Sequence, residues 1–373
     1  MLTPGDHYSP RTGSAIPTVV HGIAQAASGD TDWRHGVAID RTTFQPRYRD
    51  AVAWECEPSS PPGRVSALAD YARGAIGRRR HAEDAWWHPV AARAAAEAPH
   101  AVLAHGAPSL AGHPALHDTP VFPYLHNALP ASMTRSEAAR ALGPAVGIVC
   151  VSEALASTTA ARLPHHLRAR VHAIGHGVDT VAFHPRDARE PGPVQVMFVG
   201  RTVPHKGVHV LLEAAAALAG LPVEITVVGS HGFSASDPLT RYQRRLRRLA
   251  ARAPIPVHFV PFVDRHALPE MLRRADVLAV PSTWAEPSGL TAGEGLATGL
   301  AVVASRVGGL PEVVGDAGVL ARAGDARAWG DALRWLVSDE HARADLGRAA
   351  RRRAEAHDWS RTWRALREVV DHC

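Results

Sequence analysis

Short apolar runs alternate with longer segments of mixed polarity along most of the chain. The apolar runs have the length of buried strands, and the segments between them include stretches with helical spacing of apolar residues. The runs cover residues 101–105, 119–127, 144–151, 195–201, 223–229, 257–263, 276–281 and 301–304. The helical stretches include residues 67–76, 208–218, 268–274, 329–337 and 341–356. Strands that alternate with helices predict βαβ units and a parallel sheet, so we expect an α/β protein.

The region before residue 100 is less regular. Residues 37–39 and 51–54 are candidate strands, and residues 2–4 resemble the tail of a strand. A loop that contains Gly13 then leads into a predicted helix over residues 18–24. A glycine loop before a helix can admit an anion, because the first backbone N–H groups of a helix lack partners.

The stretch from 276 to 312 shows the order strand, loop, helix, strand, loop. Small residues from Gly289 to Ala297 would leave the start of its helix open to a ligand. Glu286 lies in the loop, and Glu294 lies eight residues later in the first turns of the helix. Carboxylates suit sugar and ribose hydroxyls because they accept hydrogen bonds in pairs. The alternative is that Glu286 is a solvated loop residue and Glu294 a capping charge.

The segment Glu286-Pro-Ser-Gly-Leu-Thr-Ala-Gly-Glu294 resembles the E-x7-E motif of family 4 retaining glycosyltransferases, which have the GT-B fold. The resemblance continues through the glycine-rich run that follows and through Gly308-Gly309-Leu310-Pro311-Glu312. The loop from Gly200 to Gly207 resembles the family's Gly-Arg…Lys-Gly loop. The run 119–127 resembles the family's strand that ends in a histidine beside the donor sugar, and here this residue is His126.

The resemblance implies two Rossmann-like domains that face each other across a cleft. The segment His176-Gly-Val-Asp179 resembles the family's interdomain sequence, with His176 in place of an asparagine. We therefore expect an N-terminal acceptor-binding domain over residues 1–183 and a nucleotide-sugar-binding domain over residues 184–355. Residues 356–373 are expected to form a tail helix that returns to the first domain.

The resemblance also assigns roles to individual residues. Arg201 and Lys206 would hold the donor diphosphate, Glu294 the ribose and Glu286 the ring hydroxyls of the sugar. The implied catalytic residues are His126 and Glu286. The implied donor-binding residues are Gly13, Arg201, Lys206, Gly289, Leu290 and Glu294.

Composition narrows the class of protein. The 373 residues are 46% hydrophobic and 21% charged, and no run of 18 apolar residues appears, as expected for a soluble globular protein. The N-terminus lacks the pattern of a signal peptide. Cys56, Cys150 and Cys373 are few and far apart, which favours reduced thiols in the cytoplasm over a disulfide framework or a zinc site.

A net charge of +5 suits an anionic ligand or surface, although an arginine-rich composition alone also gives it. Aromatic residues make up 6% of the chain and are not interleaved with the arginine clusters, so we do not expect nucleic-acid binding. Trp86 and Trp87 follow three arginines and could pack in the core, line an acceptor site or touch a membrane surface. We expect no clear basic amphipathic membrane helix in the first domain, and a peripheral membrane contact remains open.

We therefore expect a retaining glycosyltransferase that uses a UDP- or GDP-linked sugar and has no cofactor. The resemblance implies a front-side reaction without a required metal. Asp30-Thr31-Asp32 spells the D-x-D metal motif of a different glycosyltransferase fold, but no strand ends before it. We favour a small soluble acceptor, as in natural-product biosynthesis, over a lipid or a polysaccharide. The alternatives are a nucleotide-sugar epimerase, a sugar phosphorylase or a non-catalytic binding protein.

Overall fold

The protein divides into two compact units. The computed structural model describes residues 1–57, 59–76, 78–130, 133–189, 191–236 and 238–372, so Cys373 lies outside the described residues. The N-terminal unit comprises Met1–His176 and Trp359–Cys373, and the C-terminal unit comprises Gly177–Asp358. The chain passes between the units at Gly177, within the segment that resembles the family's interdomain sequence.

The N-terminal unit contains two parallel sheets. In the part of the chain that the structure describes, its strands are β1 (Gly36–Asp40), β2 (Val52–Cys56), β3 (Val102–His105), β4 (Val121–Leu125), β5 (Ile148–Cys150) and β6 (Val171–Ala173). Strand β1 pairs with β2, and the other four lie in the order β3-β4-β5-β6. The helices among them are α1 (Ala15–Ala27), α2 (Arg64–Ala75), α3 (His81–Ala96), α4 (Arg135–Leu142), α5 (Glu153–Ala160) and α6 (His165–Arg168).

Strand β4 places the predicted histidine. It lies between β3 and β5, and all five of its residues are buried. A central parallel strand needs apolar residues on both faces, and the sequence Val-Phe-Pro-Tyr-Leu provides them. Because β4 ends at Leu125, His126 lies at the carboxyl end of the sheet.

The predicted strand tail at residues 2–4 is wrong, because these residues form no strand. Of residues 1–4, Met1 alone exchanges backbone hydrogen bonds with β3. Its amino group donates to Leu103 O at 2.6 Å, and its carbonyl accepts from His105 N at 3.2 Å. A strand requires several consecutive residues with such bonds, and here a single residue has them.

The C-terminal unit is built on one parallel sheet of the order β12-β11-β10-β7-β8-β9. The strands are β7 (Val194–Val199), β8 (Val223–Val228), β9 (Val257–Val260), β10 (Val277–Val280), β11 (Ala301–Ser305) and β12 (Val319–Ala321). The helices are α7 (Val208–Ala214), α8 (Arg241–Ala250), α9 (Leu268–Arg273), α10 (Leu290–Ala297), α11 (Leu310–Val314), α12 (Ala326–Ser338) and α13 (Glu340–Glu355). Trp329 on α12 is fully buried in the core of this unit.

The strand order of the C-terminal unit reverses between β7 and β10. The chain builds outward from β7 through β8 and β9, and then returns to add β10, β11 and β12 on the other side. This is the order of the doubly wound dinucleotide-binding fold, in which ligands bind at the carboxyl ends of the strands where the order reverses. The loops after β7 and β10 therefore meet at the position where a ligand is expected.

The last helix, α14 (Trp359–His372), belongs to the N-terminal unit and packs against α1. A Cβ on Gly22 would overlap the indole of Trp359, so α1 can approach α14 closely only with glycine at this position. On the same helix, Arg367 pairs with Asp30 at 2.6 Å. The first carboxylate of the D-x-D sequence thus takes part in an ion pair with α14.

Candidate functional site

Two loops of the C-terminal unit meet beside the point where the strand order reverses. The loop after β7 runs from Gly200 to Gly207, and the loop after β10 contains Glu286. Their backbones are joined because Thr283 N donates to His205 O at 2.8 Å. The fold therefore brings together two sequence motifs that are 80 residues apart.

Gly207 permits this close approach. It adopts a left-handed conformation with φ of +73°, and a Cβ at this position would overlap the carbonyl of Pro281. An L-residue would be strained there by its backbone angles and by the contact as well. The glycine that ends the predicted Lys-Gly motif is thus required by packing between the two loops.

Glu286 is the centre of the hydrogen bonds at this position. Its Oε1 lies 2.6 Å from Lys206 Nζ. Its Oε2 accepts from Ser282 Oγ at 2.8 Å and from the indole N–H of Trp284 at 3.0 Å. The residue is 8% exposed. The alternative of a solvated loop residue is therefore wrong, because three donors fix the carboxylate in place.

A third loop holds the backbone of Glu286. Gly309 N, after β11, donates to Glu286 O at 2.7 Å. Gly308 has a φ of +56°, and a Cβ on it would overlap the Glu286 backbone. The Gly-Gly sequence that follows the E-x7-E motif thus has a local function, which is to let two loops lie in contact.

Lys206 is the single lysine among the 373 residues. The chain has 41 Lys and Arg residues, and all of the others are arginines. This exception in the sequence marks position 206. An ammonium is a compact charge with three donors, and a guanidinium is a planar fork. The use of lysine here alone indicates that this loop needs a compact cation.

Arg201 is exposed at the start of the same loop, and its guanidinium lies 5.8 Å from the ring centre of Phe233. Both predicted cations act on His205. Burial, followed by the charges of Lys206 and Arg201, lowers the pKa of His205, whereas Glu286 opposes this shift. The predicted Arg201, Lys206 and Glu286 therefore all influence the charge state of His205.

Helix α10 begins next to these loops. Gly289 is its N-cap residue and Leu290 its first residue. Glu294 lies in its second turn and is only 2% exposed. The alternative of a capping charge is wrong, because Glu294 forms an ion pair with Arg265. Arg265 was not predicted as a site residue, since the loop after β9 carries no motif that singles it out.

The N-terminal unit contains a separate group of histidines. His105 ends β3 and His126 directly follows the neighbouring strand β4. His105 Nδ1 lies 2.8 Å from His126 Nε2. The ring of His176 lies 5.5 Å from that of His126. Burial, followed by the charge of His176, lowers the pKa of His126 well below its usual range. His126 is therefore neutral at pH 7, and its bond to His105 couples the tautomers of the two rings, because one ring must donate and the other accept.

Gly13, the other site residue predicted in this unit, is exposed in the loop before α1. Its neighbour Ser14 donates from its backbone N to Thr12 Oγ1 at 3.1 Å. In the part of the chain that the structure describes, no group of three or more His, Cys, Asp or Glu side chains could hold a metal ion. No described helix has both the length and the apolar character that a membrane span requires.

Comparison with known proteins identifies relatives of part of the chain. Residues 181–353 match the family model described as "Glycosyl transferases group 1". A D-inositol 3-phosphate glycosyltransferase 2 of Catenulispora acidiphila is 38% identical over 216 residues, which cover 54% of this chain and 50% of that protein. Spore coat protein SA of Bacillus subtilis is 30% identical over 244 residues, which cover 60% of this chain and 64% of that protein. The chain thus spans about half the length of the first of these curated relatives and under two thirds of the second.

Solved structures resemble almost the whole chain. Anabaena HepE in complex with UDP and glucose gives a TM-score of 0.70 at 18% identity, covering 99% of this chain and 98% of that one. Sucrose-phosphate synthase from Thermosynechococcus elongatus gives a TM-score of 0.73 at 19% identity, covering 97% of this chain and 95% of that one. These likenesses show the fold. Residues 181–353 thus resemble the glycosyl transferases group 1 family, and the fold of the chain is GT-B.

Proposed function

We propose that this chain is a retaining glycosyltransferase that moves a sugar from a nucleoside diphosphate to a hydroxyl group of an acceptor. The observation that carries the proposal is the contact between Lys206 and Glu286 at the carboxyl ends of β7 and β10. A cation for the diphosphate and a fixed carboxylate for the sugar lie next to each other, which is the order of these groups in a nucleotide sugar. Anabaena HepE, which shares the fold, is known in complexes with UDP and with UDP-glucose.

The roles of the donor site follow from charge and position. Lys206 and Arg201 bind the diphosphate, as a point charge and a planar fork respectively. Backbone N–H groups at Gly289 and Leu290 support the same phosphates at the start of α10. Glu294 accepts from the ribose hydroxyls, with Arg265 holding its carboxylate in place. The resemblance of the sequence assigns Gly13 to donor binding as well.

Glu286 accepts hydrogen bonds from the ring hydroxyls of the sugar. Its Oε1 lies 2.6 Å from Lys206 Nζ. When the donor binds, the diphosphate competes for the ammonium, and the sugar hydroxyls compete for the carboxylate. The Lys206–Glu286 pair thus keeps both groups oriented until phosphate and sugar arrive together.

The transfer step breaks the bond between the anomeric carbon and the diphosphate oxygen, and forms a bond from that carbon to the acceptor oxygen on the same face. The acceptor's proton passes to the departing phosphate. Lys206 and Arg201 stabilise the charge that develops on the leaving group, so the proposed step needs no metal. Neutral His126 hydrogen-bonds the sugar or the acceptor.

We propose a small polar acceptor. Several relatives are D-inositol 3-phosphate glycosyltransferases, which supports an acceptor of this kind. Lipid and polysaccharide acceptors are the alternatives.

The test begins with a thermal-shift screen of UDP, GDP and ADP. The nucleotide that stabilises the protein then defines the donor panel, and products with polyol, lipid and oligosaccharide acceptors are identified by mass spectrometry. The anomeric coupling constant in the NMR spectrum of the product reports stereochemistry. Retention supports the proposal, and an inverted product refutes it. A requirement for inorganic phosphate would indicate a phosphorylase, and conversion of the donor sugar without an acceptor an epimerase.

Glu286→Gln is the diagnostic variant, and Glu213→Gln is its matched control. Glu213 lies on α7 of the same unit and pairs with Arg245 on the surface. The control should transfer sugar at the wild-type rate, so a loss confined to Glu286→Gln ties the activity to this site.

A further inference from the structure

Helix α2 exposes its large apolar side chains. Val65 is 84% exposed and Leu68 is 70% exposed, and Ile76, directly after the helix, is 71% exposed. Tyr71 is also exposed. Residues three apart, or eleven apart, lie on the same face of a helix, so these side chains form one apolar stripe on the surface.

The buried face of α2 is polar or small instead. Asp70 is buried, and its carboxylate accepts from Glu83 N at 2.9 Å. Gly74 is also buried, and a Cβ on it would overlap the carboxylate of Glu137. The helix is thus attached to the protein by Asp70 and Gly74, and its apolar stripe has no part in the core. Contiguous apolar surface of this kind marks an interaction site in a stable protein.

The stripe lies among positive charges. Residues 64–81 contain five arginines and one acidic residue, Asp70, which gives +4 with His81 neutral. Arg79 and Arg80 pair with Asp84 and Glu137. The remaining arginines have no carboxylate partner among the described residues; they are Arg64, Arg73 and Arg78.

We propose that α2 docks the protein on an anionic lipid membrane. Apolar side chains flanked by arginines match the boundary between acyl chains and phosphate headgroups, where a helix lies in the plane of the interface. Guanidinium groups bind phosphate in a bidentate manner, which favours anionic lipid over an uncharged surface. The proposal is independent of the transfer reaction and of acceptor size.

This surface corrects the expectation that the first domain lacks a basic amphipathic helix. The sequence over 67–76 predicts a helix, and an apolar stripe on a helix normally faces the core. Only the structure shows that Asp70 and Gly74 occupy the buried side, so that the stripe faces solvent.

The test is sedimentation of the full chain with sucrose-loaded vesicles, without nucleotide. One set contains phosphatidylcholine alone, and the other contains about one third phosphatidylglycerol. We expect binding to the anionic vesicles and at least about tenfold weaker binding to the neutral ones. Raising the salt to about 0.5 M should weaken the anionic binding, because the Debye length falls below the reach of the arginines.

Two pairs of variants separate the contributions. Val65→Ser with Leu68→Ser, and separately Arg64→Gln with Arg78→Gln, should each lower the vesicle partition coefficient at least about tenfold. The apolar control is Val181→Ser, since Val181 is 86% exposed in the other unit. The charge control is Arg241→Gln with Arg248→Gln on the arginine-rich helix α8, where both residues are exposed. Both controls should bind as wild type does.

Sedimentation velocity of the same proteins in solution checks for self-association. The proposal is overturned if the wild type does not bind anionic vesicles, or if the α2 variants bind as it does. It is equally overturned if only the α8 variant loses binding, or if the wild type is a dimer that the Val65 and Leu68 changes dissociate. All variants should keep the wild-type melting temperature, because the altered side chains are exposed.

Discussion

Replacing Glu286 with glutamine tests the central contact of the proposed donor site. The change keeps the shape of the side chain and replaces one carboxylate oxygen with an NH2 group. If the NH2 group takes the place of Oε1, it faces the ammonium of Lys206. If it takes the place of Oε2, it faces the indole N–H of Trp284, which can only donate. In either arrangement two hydrogen-bond donors face each other.

The magnitude follows from the number of donors that lose an acceptor. One unmatched donor in a buried position costs about 1–3 kcal/mol. For a unit of this size, each kcal/mol lowers the melting temperature by about 2–4 °C, so we expect a decrease of roughly 2–12 °C. Transfer should fall at least about tenfold, or about 1.4 kcal/mol, because a charged acceptor for the sugar hydroxyls is lost. Nucleoside diphosphate should bind almost as well as to wild type, since Lys206 and Arg201 remain.

The assay measures three quantities on one preparation: melting temperature, nucleoside diphosphate affinity by calorimetry, and initial rate of transfer. Glu213→Gln is measured in parallel and should match the wild type in all three. If neither stability nor transfer changes in Glu286→Gln, the three hydrogen bonds have no role and Glu286 leaves the site. Equal losses in affinity and rate would show a folding defect in place of a lost sugar contact.

Other changes test the neighbouring groups. Lys206→Ala should reduce transition-state stabilisation by roughly 2–4 kcal/mol, and unchanged turnover would remove it from the site. Burial lowers the pKa of His105 and His126 below their unfolded value of about 6.5, so the unfolded chain takes up protons first as the pH falls. Each of these two histidines should therefore reduce the free energy of unfolding by about 1.4 kcal/mol for every pH unit below about 6.5. Urea unfolding measures the free energy of unfolding at pH 7.5 and at pH 5.5. The difference between the two values should be smaller for His126→Gln than for the wild type, and an equal difference would contradict this. Gly220 has a φ of +78° and open space around it, so Gly220→Ala measures the backbone strain alone. Gly207→Ala should lower the melting temperature further, and equal losses would mean that the overlap with the loop after β10 is relieved without cost.

Much of the C-terminal unit was predictable because its strands are short apolar runs that end at glycine or proline. The runs 195–201, 223–229 and 276–281 correspond to β7, β8 and β10. Glu286 and Lys206 were predicted separately, from resemblance to two motifs. The residues alone could not show that they touch, because the contact depends on β7 and β10 becoming neighbours through a crossover of the chain.

Two features could not be predicted from the sequence. Arg265 pairs with Glu294, which lies 29 residues later in α10, and arginine is too common in this chain for one more to draw attention. The outward stripe of α2 has the same spacing as a stripe that faces a core. Which face is buried depends on Gly74 and Asp70 meeting their neighbours, and no local pattern contains that information.

The single lysine makes the proposed donor site chemically unique. Lys206 Nζ is the only side-chain amine in the 373 residues. The Met1 amine is buried and donates to a carbonyl of β3 at 2.6 Å. The Lys206 side chain is 25% exposed, and arginines do not react with acylating reagents. An acylating reagent should therefore modify this protein mainly at Lys206. The intact mass would then report whether a nucleotide occupies the site, before any acceptor is known.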